Sequence, residues 1–230
     1  MRAPTLALVL TAALLAGCGG HKKAAKSNGE ASKPAARVLA DARAAATSAS
    51  SAHVSGSIRS KGTPITLDLN MARTRGAKGS MSLSGLKFDL IRIGDTLYIR
   101  GSDAFYEHFA GQGVAQLLHD KWLKASATQG RLQSLAPLTS LSALFAGISS
   151  HHGKLVNEGT TTYKGEQAVA IRDKSDNSKL YVAATGKPYP LAIVGGRKSQ
   201  SGTITFGNWN ESVSLSAPKD ALDIAKLGGG

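Results

Sequence analysis

The chain has 230 residues, with 28 Lys and Arg against 15 Asp and Glu for a formal net charge of +13, and 42% of its residues are hydrophobic. That length suits one domain with a substantial core and argues against two independent ones. A lone cysteine excludes a disulfide within the chain, so stability must come from packing, while the basic balance points to anionic surfaces such as lipid head groups, where each Lys or Arg is worth about 1 kcal/mol.

Arg2, the apolar run Leu6 to Leu15 and the small residues Ala16 and Gly17 have the order of a secretory signal. The run is shorter than the ~20 residues a membrane-spanning helix needs. Leu15-Ala16-Gly17-Cys18 resembles the bacterial lipobox, which implies a signal peptide over residues 1–17 and an acylated Cys18 (palmitate among its chains) as the membrane anchor. The expected location is therefore outside the cell, tied to the outer face of the cell membrane. Removing residues 1–17 deletes only the charge of Arg2 and leaves about +12. Export argues against a nucleic-acid partner, as does the scatter of basic residues among strands.

Residues 18–33 carry Lys22, Lys23, Lys26 and Lys33 among small and polar residues, a composition expected to form a flexible basic tether with a reach of roughly 20 Å. Such a tether keeps any carrier function to a local handover at one membrane. Residues 34–225 are expected to form a single domain, ahead of a Gly-rich tail over 226–230. Its first element is a helix over residues 35–48, where Val38, Leu39, Ala42 and Ala46 recur at helical spacing behind Ser32 as a cap.

From Ala52 the period changes to alternation. Ile65, Leu67, Leu69 and Met71 predict a strand with one buried face, and Met81 with Leu83, Leu86 with Phe88 and Leu90, and Leu97 with Ile99 repeat it between turns at Gly85 and Gly94-Asp95. A meander follows from such short connections. Ser102 caps a predicted helix with Phe105 and Phe109 one turn apart, and Val114, Leu117 and Leu118 continue its apolar side past Gly111 and Gly113. Behind Pro137, Leu138, Leu141, Leu144, Phe145 and Ile148 predict a further helix. Strands resume with Val169 and Ile171, Leu180 and Val182, Leu191 to Val194, Ile204 and Phe206, and finally Val213 and Leu215. This order predicts an α+β fold, a large antiparallel sheet curling round inner helices.

Four segments then resemble the LolA-like fold, and within it the actinobacterial LppX/LprA/LprF/LprG lipoproteins. They are Arg92-Ile-Gly-Asp-Thr-Leu-Tyr-Ile-Arg100, Lys121-Trp-Leu-Lys124, Leu180-Tyr-Val-Ala-Ala-Thr-Gly-Lys-Pro-Tyr-Pro-Leu191, and Ile204-Thr-Phe-Gly-Asn-Trp-Asn210 followed by Ala217-Pro218. The resemblance spans roughly Pro34 to Asp223. It implies a half-barrel wrapped over helices, with an apolar cavity that takes up acyl chains, and a role in lipid, glycolipid or lipoprotein transport in the envelope. An envelope transporter or other membrane protein is the expected partner.

A site of that kind needs an apolar lining and a polar rim. The expected lining is Leu67, Leu69, Met71, Met81, Leu83, Phe88 and Leu90 from the sheet, with Phe105, Phe109, Leu117, Leu141 and Phe145 from the helices; the competing reading is that these simply fill a dry core. An open cavity of about 300 Å³ or more would favour lipid binding, and a filled interior would favour a protein-interaction, sensor or assembly module. Arg172, Lys174, Lys179, Arg197 and Lys198 are candidates for meeting phosphorylated head groups. No catalytic residue, metal site or cofactor is expected. His151-His152 has no acidic or thiol partner at ligand spacing, the pair Asp220 and Asp223 sits in a poor place to exclude water, and no nucleophile elbow or phosphate-cradling loop occurs.

Overall fold

The computed structural model describes residues 25–60, 62–128, 135–149, 152–196 and 201–227. Alternating apolar residues build its main element. The strands are β1 (Ser51–Ser60), β2 (Thr63–Ala72), β3 (Gly76–Leu83), β4 (Leu86–Ile93), β5 (Thr96–Gly101), β6 (Leu123–Ser126), β7 (Leu155–Tyr163), β8 (Glu166–Asp173), β9 (Lys179–Ala183), β10 (Pro190–Gly195), β11 (Gly202–Gly207) and β12 (Leu222–Asp223). These twelve strands of the described residues form one sheet in the order β12-β6-β5-β4-β3-β2-β1-β11-β10-β9-β8-β7. Neighbours are antiparallel except β12 and β6, which run parallel. The predicted meander is β2 to β5, and the second half of the chain joins it where β11 pairs with β1.

In β2 the residues Leu67, Leu69 and Met71 point inward, and the register sets Leu67 opposite Gly56 and Leu69 opposite Gly79. A Cβ on Gly56 would lie 2.0 Å from the Thr203 carbonyl oxygen, and one on Gly79 would lie 2.0 Å from that of Asp68. Only glycine lets the backbones approach so closely, and such positions mark bends in a sheet.

Four helices longer than one turn accompany the described sheet: α1 (Ala35–Ser48), α2 (Asp103–Ala110), α3 (Gln112–Leu118) and α4 (Leu141–Ser149). A single turn, α5 (Ile224–Leu227), follows β12. Val38 and Ala42 of α1 pack against Val169, Ile171, Val182 and Ala184, as its narrow apolar side requires. A larger cluster joins the inner faces of β1 to β5 and β11 to α2, α3 and α4. No described helix is long and apolar enough to cross a membrane.

Several local expectations change. Ser32 does not cap α1; it lies in a 3-10 turn, Glu30–Ser32, where its hydroxyl donates to the Gly29 carbonyl at 2.9 Å, and Pro34 occupies the cap position. Val213 and Leu215 form no strand: Val213 is buried, and its carbonyl accepts from Arg75 Nη2 at 3.1 Å, a side-chain partner in place of a ladder. The helix expected behind Pro137 breaks at Ser140, whose extended backbone separates a 3-10 turn, Pro137–Thr139, from α4. The side chain of Ile148 lies outside the described residues.

Part of the stretch expected to be a tether is docked on the domain. Residues 27–33 dock as a strap: Ser27 bridges to Thr185, Asn28 N–H donates to the Ala184 carbonyl at 2.8 Å, and Asn157 Nδ2 donates to the carbonyls of Glu30, Ala31 and Lys33. Lys33 then bonds both Glu30 (2.7 Å) and Asp41 (2.8 Å), tying the strap to α1.

The strand register defines two rims. At one, the helix rim, lie Ser84-Gly85, Gly101-Ser102 and the Lys174–Ser178 turn; at the other, the strap rim, lie Gly94-Asp95, Lys164-Gly165 and the Thr185–Tyr189 turn.

Candidate functional site

At the helix rim Ser102 leaves β5 and caps α2, its hydroxyl accepting from the Phe105 N–H at 3.3 Å. Phe105 then turns inward beside Gly101, and Tyr106 is buried next to it. The Tyr106 hydroxyl accepts from the Gly101 N–H (2.9 Å) and donates to the Lys121 carbonyl (2.8 Å), fastening α2 to the end of β5 and to the segment after α3. Burial pushes this phenol above its usual pKa range. A second clasp lies outside: His119 holds Asp103 at 2.7 Å and Asp120 at 3.3 Å, joining the start of α2 to the end of α3. The hydrogen bond to Asp103, then the two carboxylate charges, raise the His119 pKa.

Nine of the twelve expected lining residues, Leu67, Leu69, Met71, Met81, Phe88, Leu90, Phe105, Leu141 and Phe145, are buried together in the larger cluster, and Leu83 packs on its edge. Phe109 and Leu117 are not buried; they are 51% and 75% exposed. Past Phe109, Gly111 with a φ of 84° breaks the helical path, and α3 buries Ala115 and Leu118 and turns Val114 and Leu117 outward. Sequence periodicity treated the two short helices as one face. Phe109 nevertheless stays in ring contact with Phe105 at 4.7 Å, and Phe105 with Phe88 at 5.1 Å, so three aromatic rings run from the surface into the interior.

Among the described residues several open hollows mark the surface, and four of them are not enclosed between sheet and helices. One of about 550 Å³ runs across the outer face of β2 to β5 past Asp68, Lys87, Asp89 and Arg100. There Arg100 bonds Asp89 at 2.8 Å and lies 5.1 Å from the Trp122 ring centre.

The expected head-group cations are only partly available. Arg172 and Lys179 both hold Glu158, at 2.6 and 2.8 Å, and the hydrogen bonds from Lys179 and Arg172 lower the Glu158 pKa. Lys174 is exposed in the β8–β9 turn, and Arg197, Lys198 and Cys18 lie outside the described residues. His152 is exposed beside Gly153, His151 lies outside the described residues, and among the described residues no three His, Cys, Asp or Glu side chains are placed to hold a metal ion. Asp220 is exposed, and Asp223 lies 3.6 Å from Lys124. Tyr106 as a fastening residue was not legible from sequence, where nothing in its position marks a hydroxyl aimed at two backbone groups.

An open sheet over inner helices, with an apolar rim, gives this chain the fold of the LppX and LprF lipoprotein structures. The chain is similar to the crystal structure of LprF from Mycobacterium bovis, with a TM-score of 0.55 and 12% identity over 80% of this chain and 96% of that one. It is also similar to the lipoprotein LppX from Mycobacterium tuberculosis, with a TM-score of 0.50 and 18% identity over 79% of this chain and 99% of that one. No family model matches the sequence, and no curated protein matches it.

Proposed function

We propose that the chain is an exported lipoprotein, anchored through Cys18 to the outer face of the cell membrane, that binds the acyl part of a lipid, glycolipid or acylated ligand without covalent chemistry and passes it on within reach of that membrane. The observation that carries this is the aromatic path from exposed Phe109 through Phe105 to Phe88. Phe109, Val114 and Leu117 offer an acyl chain a first apolar contact, and parting α2 from the sheet would let methylenes replace side-chain contacts with little net cost in buried apolar area. Binding of this kind needs no catalytic group. A membrane transporter is the partner that fits such a handover.

The test is lipid extraction and mass spectrometry of protein purified from its native membrane, together with titration by a fluorescent fatty-acyl probe. Copurified lipid and saturable probe binding that weakens about tenfold or more in Phe109→Asp are expected. Native protein without lipid, together with no saturable binding, would overturn the reading.

The packed state of the nine buried residues favours a second reading, in which the interior stays filled and the Phe109, Val114 and Leu117 surface grips an envelope protein as a sensor or assembly module. That outcome gives an empty extract, and crosslinking at position 117 then traps a protein.

A further inference from the structure

The strap rim carries a surface of its own. Ala25, the first described residue, lines a hollow of about 470 Å³ there with Glu166, Thr185, Lys187, Tyr189 and Trp209. Tyr189 and Trp209 stack with ring centres 4.6 Å apart and planes 8° from parallel, and Asn210 Nδ2 donates to the Tyr189 hydroxyl at 2.9 Å. The indole Nε1 is buried and has no hydrogen-bond partner among the described residues, so the stack presents ring surface and the Tyr189 side chain to the hollow. Three lysines, Lys26, Lys164 and Lys187, are exposed at this rim, and none is ion-paired with a described carboxylate. Lys22 and Lys23 lie just upstream in sequence. Glu166 is the one acidic residue of the hollow.

We propose that this rim seats on an anionic lipid surface, with the Tyr189–Trp209 stack at head-group depth and Lys26, Lys164 and Lys187 against the lipid phosphates. The chemistry of each part fits. The stacked ring faces with the Tyr189 hydroxyl join apolar surface to a polar edge, the combination that settles at membrane interfaces. Unpaired lysines gain from a negative surface, whereas Arg172 and Lys179 already spend their charge on Glu158. The length of chain agrees: from Cys18 to Ala25 is seven residues, at most roughly 25 Å when extended, and that span starts at this hollow. With this rim down, Phe109, Val114 and Leu117 stand at the opposite rim, facing away from the leaflet. Only that direction rests on the anchored reading; the surface itself requires no acyl group.

The experiment therefore uses the chain from residue 18 onward, with Cys18→Ser so that nothing is acylated and Trp122→Phe so that Trp209 is the single indole. Vesicles of equal parts phosphatidylglycerol and phosphatidylcholine, doped with a lipid spin-labelled near the head group, are compared with phosphatidylcholine alone. Trp209 emission should be quenched on the anionic vesicles and not on the neutral ones, and added salt should relieve the quenching. Lys164→Glu with Lys187→Glu should weaken vesicle binding tenfold or more while near-UV circular dichroism stays unchanged. Absence of quenching, equal quenching on neutral vesicles, or binding unaffected by the two charge reversals would overturn the proposal. So would the reciprocal result, with Trp122 quenched in a Trp209→Phe chain. Failure of the anchor would appear separately, as an unmodified Cys18 in the mass of the exported protein, and failure of acyl binding as an empty extract.

Discussion

Phe105 and Phe109 sit one helical turn apart with ring centres 4.7 Å from each other, yet Phe105 is buried and Phe109 is half in solvent. Their substitutions should therefore separate stability from binding. Phe105→Ala should cost about 3 to 5 kcal/mol, since it empties a site between Phe88 and Tyr106. Phe109→Ala should cost about 1 kcal/mol, because half of its surface is already wet. Urea unfolding measures both. Acyl-probe titration should show Phe109→Ala weakened in spite of its small effect on folding, and equal binding to the parent would remove Phe109 from the entry path.

His119 makes the α2–α3 clasp sensitive to pH. Its folded-state pKa is raised by the Asp103 hydrogen bond and by the charges of Asp103 and Asp120, so the clasp contributes fully below the ordinary histidine pKa of 6.5. That contribution is lost as pH rises through the raised folded value. Hydrogen exchange at the α2 and α3 amides should quicken across that rise beyond the intrinsic effect of base, and His119→Gln should abolish the excess. An unchanged excess in the variant would locate the titration elsewhere.

Glu158 behaves in the opposite sense. Lys179 and Arg172 hold its carboxyl below the usual range, so the contribution of the clamp is present above the unfolded carboxyl pKa and disappears as pH falls through the lowered folded value. Because all three side chains are partly exposed, Glu158→Gln should cost no more than about 1 kcal/mol in urea unfolding at neutral pH. It should also free Arg172 and Lys179. Retention on an anionic column stronger than that of Glu211→Gln, which adds the same net charge elsewhere, would show that their charge is otherwise committed within the fold.

Asn157 holds the strap by one amide nitrogen shared among three carbonyls, while its Oδ1 accepts from the Gly159 N–H at 2.8 Å. Asn157→Ala should cost about 1 to 3 kcal/mol. Limited digestion with a Glu-specific protease should cut after Glu30 in the variant well before it cuts in the parent. Equal rates would mean that Ser27, Asn28 and Lys33 hold the strap without Asn157.

Strands with large apolar residues on one face were legible from sequence: Leu67, Leu69 and Met71 alternate visibly and are buried in that pattern. β7 escaped because Asn157 to Thr162 is polar on both faces, and its inward Asn157 serves the strap instead of the apolar core. β6 is too short to show a period, and β12 is two residues whose pairing with β6 depends on tertiary contact alone. The lining candidates were largely legible as a buried set, whereas the outward turn of Leu117 follows the left-handed backbone angle at Gly111, which composition does not reveal. The pairing of Arg172 and Lys179 with Glu158 was equally hidden, since it joins residues on three different strands.

The strap also sets where a mechanical load enters the domain. A pull on the chain from the side of Cys18 reaches Ala25 and meets the Ser27 bridge to Thr185, then the bonds from Asn28 to Ala183 and Ala184. The Asn157 grip on Glu30, Ala31 and Lys33 comes next, before any tension arrives at α1. These bonds lie along the β7–β9 margin of the sheet, many strands away from α2 and α3. If the chain is held through Cys18 as proposed, tugging there would be dissipated in that margin before it reached the helix rim.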